Sequence, residues 1–202
     1  MSKETKGPIK SKLIFNIILV GDTAVGKTCI ISRIVGKPFR DSHITTMGMD
    51  KETIPEEFNG IQYSIKIWDT TGQERFASLA TNYLKKADGV IFVYAINNKQ
   101  SFENITKWLE LLNKTNNNAA LKMSLVANKN DLEDQREVTK EEGETLANKL
   151  LMVHSEVSAK TGAGLQEAYK GLVNSIIEVN KGKIEKERLT LNKPLKKTKK
   201  CC

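Results

Sequence analysis

Two glycines, a lysine and a threonine punctuate the stretch GDTAVGKT (21–28), and their spacing can cradle phosphate. Gly21 and Gly26 let the chain turn so that successive backbone N–H groups converge on phosphate oxygens. Lys27 would neutralise the β- and γ-phosphates of a nucleotide, and the Thr28 hydroxyl would ligate Mg²⁺. A second group of residues is suited to reading a base. In ANKNDL (127–132) the Asp131 carboxylate can accept hydrogen bonds from both the N1–H and the 2-amino group of guanine. Adenine offers an acceptor at N1 and no 2-amino donor, and unpaired polar groups of that kind discriminate by on the order of 10⁴. Asn128 would brace this loop and the Lys129 stem would cover the base plane. In EVSAKTG (156–162) the Ala159 amide would meet the guanine carbonyl, with Ser158 and Lys160 holding the turn.

A third group is placed for hydrolysis. In WDTTGQERF (68–76), Asp69 would hold Mg²⁺ through water, the Gly72 amide would sense the γ-phosphate, and Gln73 would orient an attacking water. Thr46, in the polar loop HITTMGMDK (43–51), would close on the metal through its hydroxyl.

These groups need a scaffold that brings loop ends together. LIFNIILV (13–20) is a nearly continuous apolar run ending at Gly21, the pattern of a strand buried on both faces. ETIPEEF and IQYSIKIW flank Asn59-Gly60, a two-residue hairpin signal, and Pro55 places the first of the pair at a sheet edge. GVIFVYAI (89–96), KMSLVANK (122–129) and LMVHSEVSA (151–159) read as further strands. Helical spacing follows a Ser101 cap at Phe102, Ile105, Trp108, Leu109 and Leu112, and recurs at Leu165, Ala168, Leu172 and Ile176. Strands alternating with helices imply parallel crossovers, helices on both faces, and ligands at the carboxyl ends of the strands. Cys29, beside Ile30 and Ile31, reads as a small buried residue, and His154 has no Cys or His at ligand spacing.

The formal net charge is +8, yet residues 181–200 alone carry nine Lys or Arg against two Glu. The preceding body is therefore nearly neutral, which argues against a general nucleic-acid surface and for a basic tail that meets an acidic one. Three cysteines without a signal-like start suggest a reducing, intracellular setting. The apolar runs fall far short of the roughly 20 residues needed to span a bilayer. The expected organisation is a flexible leader over 1–11, one domain over 12–180, and a basic tail over 181–202.

With these motifs in order, the chain resembles the Ras superfamily of small GTPases and, within it, the Rab family. The resemblance covers about residues 13–180. It implies an α/β P-loop GTPase (Ras-like) fold: a mostly parallel six-stranded sheet with one antiparallel edge strand. It also implies a slow GTP hydrolase that switches between GTP and GDP states and recruits effectors in vesicle trafficking. Asp22, Thr23, Ala24, Val25, Gly26, Lys27, Thr28 and Cys29 would line the phosphates, and Phe39 would lie against the guanine. The loops carrying Thr46 and Gly72-Gln73 would be the two switches. An exchange factor, a GTPase-activating protein, effectors, a prenylation escort and a GDP-dissociation inhibitor are the implied partners.

Cys201 and Cys202 would carry geranylgeranyl chains, which with the lysines of KPLKKTKK anchor the protein to the cytoplasmic face of an intracellular membrane, beside a soluble cytosolic pool. The chain departs from the family at Lys51, where an aromatic cluster with Trp68 and Tyr83 usually has Phe. It also departs at His43, Thr71 and Ala95. These changes touch partner choice and switch dynamics more than nucleotide binding.

Overall fold

In the computed structural model, the residues described are 9–39, 50–70 and 77–191. The elements run β1 (Ile9–Val20), α1 (Lys27–Ile34), β2 (Asp50–Phe58), β3 (Ile61–Asp69), α2 (Ala77–Leu84), β4 (Gly89–Ala95), α3 (Lys99–Glu103), α4 (Ile105–Thr115), β5 (Lys122–Asn128), α5 (Lys140–Lys149), β6 (Val153–Glu156) and α6 (Leu165–Leu191). A short 3₁₀ helix, Asn130–Gln135, follows β5. The six strands form one sheet in the order β2-β3-β1-β4-β5-β6. Every pairing is parallel except β2 with β3. This is the expected fold, with β2, the Pro55 strand, on an edge.

The side-chain pattern dictates the layering. Phe15, Ile17 and Leu19 of β1 point to the face covered by α1 and α6, while Ile18 and Val20 meet Leu84, Trp108 and Leu112 of α2 and α4 on the other. β4 is buried at all seven positions, as its unbroken apolar run requires. At the β2–β3 turn Asn59 (φ 51°) and Gly60 (φ 77°) both take left-handed conformations, the geometry that matches the twist of a tight hairpin. Among the described residues, no helix is long and apolar enough to cross a membrane.

Some local expectations give way. The residue capping α3 is Asn98, whose side chain accepts from the Ser101 amide at 3.0 Å, while the Ser101 hydroxyl accepts from the Ala95 amide. Ser101, one turn in, thus serves the end of β4 rather than the helix start. The last strand is confined to Val153–Glu156. Cys29 is half-buried rather than buried, packed against the α1/α6 side of the core.

Both expected domain boundaries fall inside regular elements. β1 starts at Ile9, and α6 continues to Leu191. Ile184 is buried, and the Lys12 amide donates to Glu187 Oε1 at 3.4 Å, so the start of β1 and the end of α6 support each other.

Candidate nucleotide-binding site

The phosphate loop leaves β1 and enters α1 through two positions that admit no side chain. A Cβ on Gly21 (φ 144°) would sit 2.1 Å from the Val93 carbonyl oxygen, and one on Gly26 (φ 97°) 2.3 Å from Asn128 Nδ2. Ala24, at the exposed tip, is left-handed (φ 63°) without being glycine. Lys27 is buried, and its Nζ donates to the carbonyls of Gly21 and Asp22, both at 2.8 Å. Burial lowers its pKa to about 8, with the carboxylates of Asp69 and Asp22 pulling the other way. A lysine held inside its own loop in this way offers an aimed positive charge where phosphates would collect.

Asp69 ends β3 and is almost fully buried, yet its Oδ2 accepts from the Thr28 hydroxyl at 2.6 Å. A hydroxyl and a carboxylate thus converge beside Lys27 from two segments 41 residues apart. Hard oxygens on a short contact are the donor set that Mg²⁺ favours, with phosphate and water supplying further ligands. The neighbouring Thr70 fixes the end of β3, its hydroxyl donating to the Leu19 carbonyl at 2.6 Å.

The residues expected to read the base come together at the ends of β5 and β6. Asn128 is buried and links two loops: its Nδ2 donates to the Val25 carbonyl at 2.7 Å and its Oδ1 accepts from the Ala159 amide at 3.0 Å. Ser158, fully buried, accepts from the Thr161 amide and donates to Asp131 Oδ1 at 2.6 Å. That donor fixes the carboxylate plane, and Lys160 Nζ stands 3.9 Å from Oδ2. The Asp131 side chain is only 15% exposed. Lys129 adopts φ 68° and is half-buried, which lowers its pKa. In this structure the Ala159 amide, expected to meet a guanine carbonyl, serves Asn128.

Among the remaining expected site residues, Phe39 is half-buried, Thr28 and Thr23 are exposed, and Val25 lies in the core. Thr46, Gly72, Gln73, Cys201 and Cys202, with His43 and Thr71, lie outside the described residues. Two residues that hold the loop escaped the sequence reading. Trp108 and Asn104 bond the Asp22 carboxylate, although helical spacing marked Trp108 only as core. The one available signal was a carboxylate in a loop otherwise built of small residues.

The β2–β3 edge carries a different cluster. Trp68 and Tyr83 rings lie 4.4 Å apart, and the Trp68 Nε1 donates to Asn16 Oδ1 at 3.1 Å. Lys51, directly opposite Trp68 in the β2–β3 register, places its ammonium 5.6 Å from the indole centre. A cation over an aromatic face therefore replaces the third ring.

A mostly parallel sheet with a glycine-built phosphate loop, a Thr–Asp pair beside it and a carboxylate-bearing loop after β5 defines a P-loop domain for guanine nucleotides. Comparison with known proteins agrees. The Ras family matches residues 16–178. The chain is 39% identical over 166 residues to the Ras-related protein Rab-10 of Diplobatis ommata, covering 82% of each chain. It is 38% identical over 164 residues to Rab-13 of Rattus norvegicus, covering 81% of this chain and 80% of the relative. With human Rab-15 the identity is 33% over 183 residues, covering 91% and 86%.

The chain belongs to the Ras family, on its Rab branch. It is a GTP hydrolase and a Rab-like guanine-nucleotide switch of vesicle trafficking; regulators, effectors and membrane association are general properties of that family.

Proposed function

We propose that the nucleotide is held across the carboxyl ends of β1, β3, β5 and β6, where Thr28 and Thr46 and, through water, Asp69 would hold Mg²⁺. The observation that carries this reading is Asn128, which welds the phosphate loop at Val25 to the base loop at Ala159. One side chain therefore keeps the phosphate and base subsites at a constant separation. Lys27 neutralises the phosphates, Asp131 accepts the two guanine donors, and Lys129 covers the base with its stem. The Ala159 N–H can be shared between Asn128 and the guanine carbonyl. Cys29 and the loop from Asp22 to Gly26 line the phosphates, and Phe39 edges the base.

Gln73 orients the water that attacks the γ-phosphate, while Gly72 and Thr46 respond to that phosphate and move when it leaves. Bound Mg²⁺ supplies charge stabilisation on the transferring group. Cys201 and Cys202 carry lipid, and the lysines before them meet an acidic leaflet, holding the body on the cytoplasmic face of an intracellular membrane. An escort for prenylation and a dissociation inhibitor manage the lipidated form. An exchange factor and a GTPase-activating protein set the state, and effectors read it. The nucleotide chemistry belongs to the expected 12–180 domain together with the ends of β1 and α6 that extend past its bounds, and the segment beyond α6 carries the lipid.

Single-turnover GTP hydrolysis with Mg²⁺ tests this reading, comparing the native chain with Gln73→Leu. The native protein should turn over slowly and the variant more slowly still. Equal inertness of the two with tight GTP binding would remove Gln73 from the chemistry. Displacement of bound GTP by ATP as readily as by GDP would overturn the guanine assignment.

A further inference from the structure

The phosphate loop is tied down at two shoulders, and only one of them is accounted for by the nucleotide motifs. Asn128 holds Val25 on the base side. On the opposite side the Asp22 carboxylate is held by two donors from the α3–α4 junction. Trp108 Nε1 donates to Oδ1 at 3.0 Å, and Asn104 Nδ2 donates to Oδ2 at 2.7 Å. Asn104 is the residue that links α3 to α4, so its side chain is set by both helices. Trp108 is 7% exposed and packed in the core with Ile105 and Leu112, so its N–H is aimed by a rigid ring. The main chain of the same residue completes the arrangement, because the Asp22 carbonyl accepts from Lys27 Nζ.

We propose that Asp22 is a positioning residue, whose carboxylate, clamped by Trp108 and Asn104, fixes the phosphate loop against α4 and so sets how long nucleotide is retained. The proposal rests on the phosphate-loop reading above. Between the two shoulders lie Thr23 and Ala24, both exposed, with Ala24 in a left-handed conformation. Such backbone persists only while its surroundings hold it. Freeing Asp22 lets the tip relax, and the N–H groups that would point at phosphate lose their common aim. Lys27 loses part of its setting at the same time, since one of its two carbonyl acceptors belongs to Asp22. The clamp also makes the buried face of α4 continuous with the nucleotide site.

The test uses the full chain loaded with a fluorescent methylanthraniloyl-GDP, chased with excess GDP in Mg²⁺ buffer. Trp108→Phe keeps the ring's packing and deletes the donor, and should release nucleotide about tenfold faster, the scale of one hydrogen bond to a charged group. Asp22→Ala should release it at least as fast. The double variant should be no faster than Asp22→Ala alone, because both changes break the same clamp. Additive acceleration would mean that Trp108 acts by packing, and release at the native rate from both single variants would likewise overturn the proposal.

A spectroscopic readout separates positioning from general support. The Trp108 indole N–H resonance, assigned by its loss in Trp108→Phe, should shift between nucleotide-loaded and nucleotide-free protein, and that shift should vanish in Asp22→Ala. If Asp22→Ala does not fold, the same cycle between Asn104→Ala and Trp108→Phe decides, with faster release from each expected and native rates overturning the idea. A native chain that binds no methylanthraniloyl-GDP would overturn the nucleotide reading itself, an outcome distinct from native chain binding with variant rates unchanged.

Discussion

The ends of β5 and β6 and the β2 edge use polar residues in opposite ways. At the ends of β5 and β6, Asn128 and Ser158 are buried; Asn128 bonds two other loops, and Ser158 bonds Asp131 and, within its own turn, the Thr161 amide. At the β2 edge, Lys51 is exposed and touches Trp68 only across an aromatic face. Buried polar groups lose heavily when a partner is removed, whereas exposed charge near a ring contributes little and can be exchanged. The β2 edge should therefore tolerate substitution more readily than the ends of β5 and β6, and Lys51, one of the departures from the Rab pattern, falls on it.

The largest expected effect lies at Asp131. Replacing it with Asn swaps one acceptor oxygen for a donor that faces the guanine 2-amino group. Affinity for GDP should fall by on the order of 10³ or more, since a mismatched buried polar pair is left unpaired on both sides. Competition titration against fluorescent GDP measures this, and a fall of less than tenfold would detach Asp131 from the base.

Asn128→Ala follows in size. It strips partners from the Val25 carbonyl and the Ala159 amide at once, each costing about 1–3 kcal/mol. Nucleotide should leave on the order of 100-fold faster, and the melting temperature should drop as well, because the same bonds hold the loops in the free protein. Unchanged release would show that the two loops are aligned by their main chains alone.

What was legible in the sequence follows this same division. The phosphate loop, Asn128 to Asp131 and Ser158 to Lys160 are contiguous stretches whose chemistry depends on spacing, so reading along the chain finds them. Trp108 and Asn104 meet Asp22 across 86 and 82 residues. A tryptophan on an apolar helical stripe looks the same whether its N–H is aimed at a carboxylate or not. The hairpin at Asn59-Gly60 was legible because its backbone conformation demands those residue types. The cap of α3 was not, since Asn98 and Ser101 are equally capable acceptors and only the end of β4 decides between them.

The extent of α6 was hidden by charge. Lysines dominate after residue 180, yet Ile184 continues the stripe of Ile176, Ile177 and Asn180 and remains in the core.

A pH prediction sharpens the contrast by a smaller effect. His154, on β6, lies with its Nε2 3.2 Å from the Tyr94 hydroxyl, above Gly143 of α5. Burial lowers its pKa from 6.5, outweighing the pull of Glu156 and Glu144. A depressed folded-state pKa means that the unfolded chain binds the proton more readily, so the contribution is present above about pH 6.5 and is lost as pH falls. The melting temperature should decline from pH 7 to pH 5, and less steeply in His154→Gln. Identical slopes would place the acid sensitivity elsewhere.

The smallest effect, and the sharpest test of the division, is Lys51→Phe. The substitution removes a cation from the Trp68 face and offers a ring in its place on an exposed edge strand. An exposed cation over a ring contributes about 0.5–1 kcal/mol, and an aromatic pair contributes about as much, so stability should change by less than about 1 kcal/mol. Nucleotide release should match the native protein, because Lys51 opposes Trp68 on an edge that the base-reading residues do not use. The surface itself should change: an apolar three-ring cluster would favour partners with hydrophobic contacts and lose those that supply a carboxylate to Lys51. Stopped-flow release with fluorescent GDP and a denaturation curve check the first two expectations. A change in release of more than about threefold, or roughly 0.7 kcal/mol, would show that the edge and the nucleotide site are coupled rather than separate.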